Sequence, residues 1–349
     1  MRSAKSSVLH RINNEDELDE VLTEPTRALK DFVRTLKGPL LILGAGGKMG
    51  PTLAVLAKRA ADAVRHPLEV IAVSRFTNPD TVAWLSRHEV RTISCDLLDP
   101  VAVQRLPDAS NLLYLVGLKF GTSQNPSATW AMNTIVPTRI AERYYEARIV
   151  ALSTGNVYPL SKVASCGSVE SDQLTPAGEY ANSAVARERL FEFHSRAHGT
   201  AVALIRLFYA VELRYGVLVD IARKVHQAER IDLSNGHFNC IWQGDANEMV
   251  IRSLALANAP PSAWNLCRPE IYSVRAAATR FGELLGKQPL FSGKERVAAL
   301  LGNSAAICSM LGIPAVSIES MQKAIARWIK KGGRDLGKPT HFEARDGRY

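Results

Sequence analysis

The chain is poor in cysteine. Its 349 residues include only Cys95, Cys166, Cys240, Cys267 and Cys308, odd in number, widely separated and without a C-x-x-C pair. Neither a zinc site nor a disulfide framework is indicated, and no metal is expected. Reduced thiols fit the cytoplasm. Met1 to Glu20 turns acidic without an apolar h-region, so no signal peptide is expected. No uninterrupted apolar run reaches membrane-spanning length, and no membrane partner is expected. Internal repeats and low-complexity segments are absent. A concentrated basic patch is missing too. The net charge is +9, but Lys and Arg are scattered, and Asp335, Glu343 and Asp346 interrupt the basic stretch from Arg327 to Arg348. Solubility and affinity for anionic small molecules explain this charge better than nucleic acid, which is not expected as a partner.

What remains is an ordinary soluble composition, 46% hydrophobic and 22% charged, long enough for one large or two intimately joined domains. Its most informative stretch is Leu40-Leu41-Ile42-Leu43-Gly44-Ala45-Gly46-Gly47-Lys48-Met49-Gly50. Four apolar residues read as a buried parallel strand, and a helical pattern runs from Pro51 to about Val64. Gly44, Gly47 and Gly50 are spaced G-x-x-G-x-x-G, with Gly46, Lys48 and Met49 between them. Glycines let the backbone approach a pyrophosphate closely, and the N–H groups that open the next helix favour an anion. A glycine cluster is often only a tight turn, but its place between strand and helix favours dinucleotide binding. No Lys-Ser/Thr pair follows the last glycine, which excludes a P-loop.

The remaining pattern repeats strand and helix. Residues 1–37 carry helical periodicity broken near Pro25, read as one or two helices packed on the outside of the domain. Further strands are expected at Leu68–Val73, Val90–Cys95, Leu112–Val116, Ile149–Leu152 and Ala201–Leu207, with a helix near Tyr180–Ser195. Such alternation implies an α/β fold with a parallel, doubly wound, Rossmann-like sheet. The second strand ends in Ser74-Arg75, where an acid would accept hydrogen bonds from a ribose 2′-OH. A neutral serine and a cationic arginine suit a 2′-phosphate, so NADP is favoured over NAD. The plain alternative makes Arg75 a surface loop residue.

In this order the motifs resemble those of the extended short-chain dehydrogenase/reductases, the NAD(P)-dependent epimerase/dehydratase family, from about Leu40 to Lys331. The resemblance rests on the glycine turn, Asp96-Leu97 after the third strand, Asn133 in a helix, Ser153-Thr154 with Tyr158, Tyr180 with Ser183, Arg206-Leu207-Phe208, Asp245, Trp264-Asn265-Leu266 and Leu311-Gly312-Ile313-Pro314. It implies that Gly44, Gly47 and Gly50 hold the pyrophosphate, that Asp96 and Leu97 bracket adenine, and that Gly117 and Lys119 lie near the nicotinamide half. Val116, Asn133 and Phe208 complete the cofactor-binding set. Thr154 would hydrogen-bond the reacting oxygen of the substrate, and Tyr180 would be the general acid/base. The implied division is a helical extension at 1–37, a nucleotide domain at 38–207 with 236–257 returning to it, a smaller discontinuous substrate-binding portion at 208–235 and 258–331, and a polar tail at 332–349. Proteins of this kind also form homodimers through helices of the nucleotide domain.

One departure matters. The family's Tyr-x-x-x-Lys would put lysine at 184, whereas the chain reads Tyr180-Ala181-Asn182-Ser183-Ala184. Lowering a phenol from about 10 to near 7 takes roughly 4 kcal/mol of differential stabilisation, which alanine cannot supply. Either another cation substitutes (Lys119 is the better candidate, Arg187 the other), or Tyr180 acts only as a neutral donor, or redox catalysis is lost. The expected function is an epimerase, dehydratase or oxidoreductase acting on a sugar or sugar-derived hydroxyl/carbonyl compound. The alternative is a nucleotide-binding regulatory or scaffold protein. Arg214 reads equally as a substrate contact and as a helix-surface arginine; His237 reads as a turn residue and Trp242 as core.

Overall fold

The computed structural model describes residues 9–119, 124–338 and 340–347; Phe120, Gly121 and Tyr349 of the motifs and tail lie outside this set. Seven strands form one parallel sheet: β1 Leu40–Leu43, β2 Val70–Ser74, β3 Arg91–Ser94, β4 Asn111–Tyr114, β5 Arg148–Thr154, β6 Val202–Leu207 and, later in the chain, Ser262–Leu266. The spatial order is Ser262–Leu266, β6, β5, β4, β1, β2, β3. Leu41 is in register with Ile71 on one side and Leu112 on the other, so β1 is central. All four of its residues are buried, as an unbroken apolar run between two helical layers requires. The doubly wound parallel sheet expected from the strand–helix alternation is therefore present.

The helices are α1 Glu15–Leu22, α2 Arg27–Val33, α3 Gly50–Ala63, α4 Pro79–Arg87, α5 Pro100–Gln104, α6 Pro126–Arg143, α7 Gly178–His198 and α8 Val217–His226. Their starts are written locally. Asn14, Asn78, Asp99 and Asn125 each accept a backbone N–H at a helix N-terminus, and proline occupies the first turn of α3, α4, α5 and α6. Gly199, at φ 73, ends α7 in the left-handed conformation.

A second apolar core lies beside the sheet. It gathers Leu18 and Leu22 of α1, Leu218, Ile221 and Val225 of α8, Phe238 and Trp242, Phe281 from Val274–Leu285, Ile325 from Ile318–Lys330, and Phe342. The two N-terminal helices thus go to different places. Leu29 and Val33 of α2 join the core under the sheet, while α1 packs into the second core. The tail also packs down: Phe342 is 1% exposed, and the Thr340 N–H donates to Asp220 Oδ2 at 2.8 Å. Fully burying a side chain of this size contributes about 1.5–3 kcal/mol.

Candidate functional site

The glycine turn sits at the carboxyl end of β1, where the sheet order reverses between β1 and β4. The Gly44 and Ala45 N–H groups donate to the Val73 carbonyl at 2.9 and 3.1 Å, carrying the turn across β2. Gly44 has φ +82, and a Cβ there would lie 3.0 Å from backbone atoms of Leu115 and Val116. A Cβ on Gly50 would lie 2.5 Å from the Ala45 backbone. Both sites exclude side chains through backbone, not through atoms that rotate away.

These constraints shape a cleft of about 270 Å³. Gly44, Gly46, Gly47, Ser74, Arg75, Asp96, Leu97, Val116 and Gly117 line it, so nine of the residues singled out in the sequence meet on one wall. Sequence reasoning missed Phe76, Asn78, Thr81 and Met132 on the same wall; Phe76 is in the left-handed region at φ 44. The bare glycine cradle, the start of α3 and the groove beyond β2 fit a dinucleotide. Asp96 turns one carboxylate oxygen back to accept the Leu98 N–H at 3.0 Å. Arg75 is exposed, and no carboxylate pairs with it among the described residues.

The other singled-out residues lie off this wall. Met49 packs into the core under the sheet. Asn133 is fully buried in α6; its amide donates to Ser183 Oγ at 2.9 Å, and its carbonyl accepts from Arg187 at 3.1 Å. Arg187 also donates to the Val116 carbonyl at 3.1 Å, so this arginine supports the cleft wall from behind. Phe208 is 6% exposed and fills the space between Gly155 and Gly302, in a small cluster with Tyr158 and Ala184. Thr154 closes β5; its hydroxyl accepts the Asn156 N–H at 3.2 Å. Tyr180 stands in the first turn of α7, 9% exposed. Ala184 is wholly buried.

A polar network backs this end of the sheet. Arg206 forms a buried ion pair with Glu188 at 2.7 Å and donates to the Tyr158 hydroxyl. Tyr158 donates onward to Asn265 Oδ1 at 2.9 Å, and Ser153 donates to Glu188. The neighbouring guanidinium lies beside the Tyr158 ring, yet burial holds that phenol up at about 12.

Two lysines and a second tyrosine gather where the two cores meet. Lys48 does not line the cleft. Its Nζ donates to the Ala210 carbonyl at 2.9 Å and lies 3.9 Å from the centre of the Tyr215 ring. Burial pushes Lys48 down to about 7, against the opposing pull of Glu212 and Asp220. Burial likewise lowers Lys119 to about 8, with Asp220 opposing. Tyr215 is held above its ordinary range by burial, and Asp220 and Tyr180 are close enough to add to the shift. Arg214, either a substrate contact or a surface residue by sequence, is instead a structural tie: it bonds Glu212, Glu15 and Asp19 and so fastens α1. Tyr215 had no signal in the sequence beyond its place before Gly216.

A glycine turn at a sheet reversal, a groove beyond the second strand and a tyrosine at a helix start define a dinucleotide-binding α/β protein. The model of the NAD dependent epimerase/dehydratase family matches residues 40–237, more than half of the chain, which belongs to that family. No curated protein sequence matches it. Solved structures similar to it include Pal from Bacillus thuringiensis, at TM-score 0.69 and 18% identity, covering 84% of this chain and 99% of that one. UDP-glucose 4-epimerase from Thermotoga maritima, solved with UDP-glucose, has TM-score 0.66 and 16% identity over 84% and 99%. A dTDP-glucose 4,6-dehydratase from Streptomyces venezuelae, solved with NAD and TYD, has TM-score 0.69 and 17% identity over 84% and 97%. At these identities the likeness is one of fold. Among the described residues no helix is long and apolar enough to cross a membrane.

Proposed function

We propose that the chain is a cytoplasmic NAD(P)-dependent enzyme that moves a hydride to or from a sugar or sugar-derived hydroxyl/carbonyl carbon, as an epimerase, dehydratase or oxidoreductase. The glycine-walled cleft carries the reading, supported by the family and by neighbours whose structures hold NAD or nucleotide sugars. When bound, the nicotinamide supplies the hydride acceptor and donor. Gly44, Gly46, Gly47 and Gly50 would hold the pyrophosphate, and Asp96 and Leu97 the adenine. Val116, Gly117, Asn133 and Phe208 complete the cofactor side, directly or from behind. Ser74 and the exposed Arg75 favour a 2′-phosphate, hence NADP over NAD. Thr154 donates to the reacting oxygen of the substrate, and the Tyr180 phenol takes or returns its proton. A homodimer through helices of the nucleotide domain is part of the reading.

Ala184 favours a second reading, a nucleotide-binding regulatory or scaffold protein without turnover, because no lysine stands one turn beyond Tyr180. Titration of nucleotide-stripped protein with NADPH and NADH, followed by nicotinamide fluorescence, tests both. Preferential NADPH binding, lost in Arg75→Ala, and a spectral change on adding a sugar substrate support the enzyme. Binding with no such change across sugar classes supports the regulator, and no binding of either nucleotide overturns both. If Lys119→Ala leaves turnover and cofactor affinity unchanged, Lys119 is not the substituting cation.

A further inference from the structure

Arg187 carries its charge where nothing balances it. It is 3% exposed, yet among the described residues no carboxylate pairs with it. Its Nη1 donates to the Val116 carbonyl and to Asn133 Oδ1, both at 3.1 Å. The acids on the elements around it are engaged elsewhere. On α7, Glu179 accepts from Trp130, Glu188 pairs with Arg206, and Glu192 pairs with Arg189 and Arg196. Glu142 of α6 lies more than two turns beyond Asn133, about 13 Å along that helix. β4 and β5 contain no acid. Asp96 follows β3, and β1 and β2 stand between it and β4, a spacing of about 14 Å. A guanidinium stays protonated at any ordinary pH, so this buried charge is not shed.

The guanidinium also stands directly behind the cleft. Val116 and Gly117 line that cleft, and a Cβ on Gly117 would lie 2.9 Å from Arg187 Nη1. The missing side chain at Gly117 is what lets the charge come so close to the wall. The cradle at the end of β1 takes a pyrophosphate and the groove beyond β2 takes the adenosine. The nicotinamide half then lies toward β4 and β5, against Val116 and Gly117.

We infer that Arg187 sets the redox preference of the site: its fixed, unbalanced charge behind Gly117 disfavours the cationic nicotinamide ring of NADP⁺ relative to the neutral ring of NADPH. The inference rests on the dinucleotide reading of the cleft. Both forms carry the same phosphates, so the cradle and Arg75 contribute equally to each. At about 10 Å and an effective dielectric near 20, two unit charges change affinity by roughly tenfold. That is about 30 mV in the potential of the bound couple. The direction favours oxidation of the substrate. A carbinol gives its hydride to the ring and its hydroxyl proton to Tyr180, and the positive charge of the ring is lost.

Calorimetric titration of the nucleotide-stripped full chain with NADPH and NADP⁺, and with NADH and NAD⁺ alongside, reads the ratio of dissociation constants. Wild type is expected to hold the reduced form at least about tenfold more tightly. Arg187→Gln keeps a donor for the Val116 carbonyl, strands no carboxylate, and should lower that ratio about tenfold. Arg187→Lys keeps the charge and should keep most of the ratio. A purely structural role weakens both forms alike, so an unchanged ratio in Arg187→Gln overturns the inference while the dinucleotide reading stands. A ratio lost as fully in Arg187→Lys as in Arg187→Gln does the same. So does wild type that binds the oxidised form as tightly as the reduced, a result that needs no variant to fold. Failure of folded wild type to bind any of the four nucleotides overturns both.

Discussion

Arg206 and Glu188 offer a measurable test of how the sheet end behind Thr154 is held. The two are 5% and 3% exposed, and the guanidinium meets both carboxylate oxygens at 2.7 to 3.2 Å. Arg206→Met leaves that carboxylate buried with only Ser153 as a donor. Breaking one side of a buried pair costs about 3–5 kcal/mol, against less than about 1 for an exposed pair. At about 1.4 kcal/mol per factor of ten, the folding constant drops by roughly two to four orders of magnitude. The sign with pH also follows. In the variant the stranded carboxyl has a folded pKa above its unfolded value of about 4.3. Its native state therefore binds more protons than the unfolded chain. Relative to wild type, stability falls as pH rises through that window and recovers on acidification. Urea unfolding at pH 5 and pH 7.5 measures both effects. Arg206→Met/Glu188→Leu removes the stranded charge and should recover the loss to within about 1–3 kcal/mol, the cost of leaving the Ser153 hydroxyl unpaired. A single variant costing under about 1 kcal/mol, or a double variant no better than the single, would refute the reasoning.

Gly50→Val puts a side chain where even a Cβ meets the Ala45 backbone at 2.5 Å. It should cost about 1–3 kcal/mol and abolish NADPH binding in protein whose circular dichroism is unchanged; fluorescence titration at wild-type affinity would contradict it. Phe342→Ala should cost about 3–5 kcal/mol in thermal or urea unfolding, because Phe342 is 1% exposed in the second core. A loss near zero would mean that the tail does not seat there in solution.

The parts of the fold that were legible were those written locally. Leu40 to Leu43 is an apolar run too short for a helix, bounded by glycines, and its strand lies where the run is. The expected fourth strand, Leu112–Val116, ends at Tyr114 in the sheet because Val116 has already turned into the cleft wall. Of the nine cleft residues, Gly44, Gly46, Gly47, Ser74 and Arg75 were legible from the glycine turn and the end of the second strand, and Asp96, Leu97, Val116 and Gly117 through the family resemblance. The Lys48–Tyr215 contact was not, because the two are 167 positions apart and nothing in either neighbourhood encodes the other. The seating of the tail was not legible for a related reason. Its composition is polar, and one phenylalanine, a threonine bonded to Asp220 and an arginine bonded to the Ser234 carbonyl hold it down. Arg187, offered by sequence as an alternative cation, bonds the Val116 carbonyl and Asn133, contacts that depend on a further element, α6, and were not legible.

The tail has a consequence for how the molecule is made. Gly347 packs directly on Ala177 and Gly178, the two residues that lead into the helix bearing Tyr180. During translation all seven strands of the nucleotide sheet, the last of them Ser262–Leu266, are made before Gly347. The start of the Tyr180 helix therefore receives this neighbour only after the sheet has been made. A nascent chain halted short of the tail would carry the glycine cradle without the packing that seats its tyrosine.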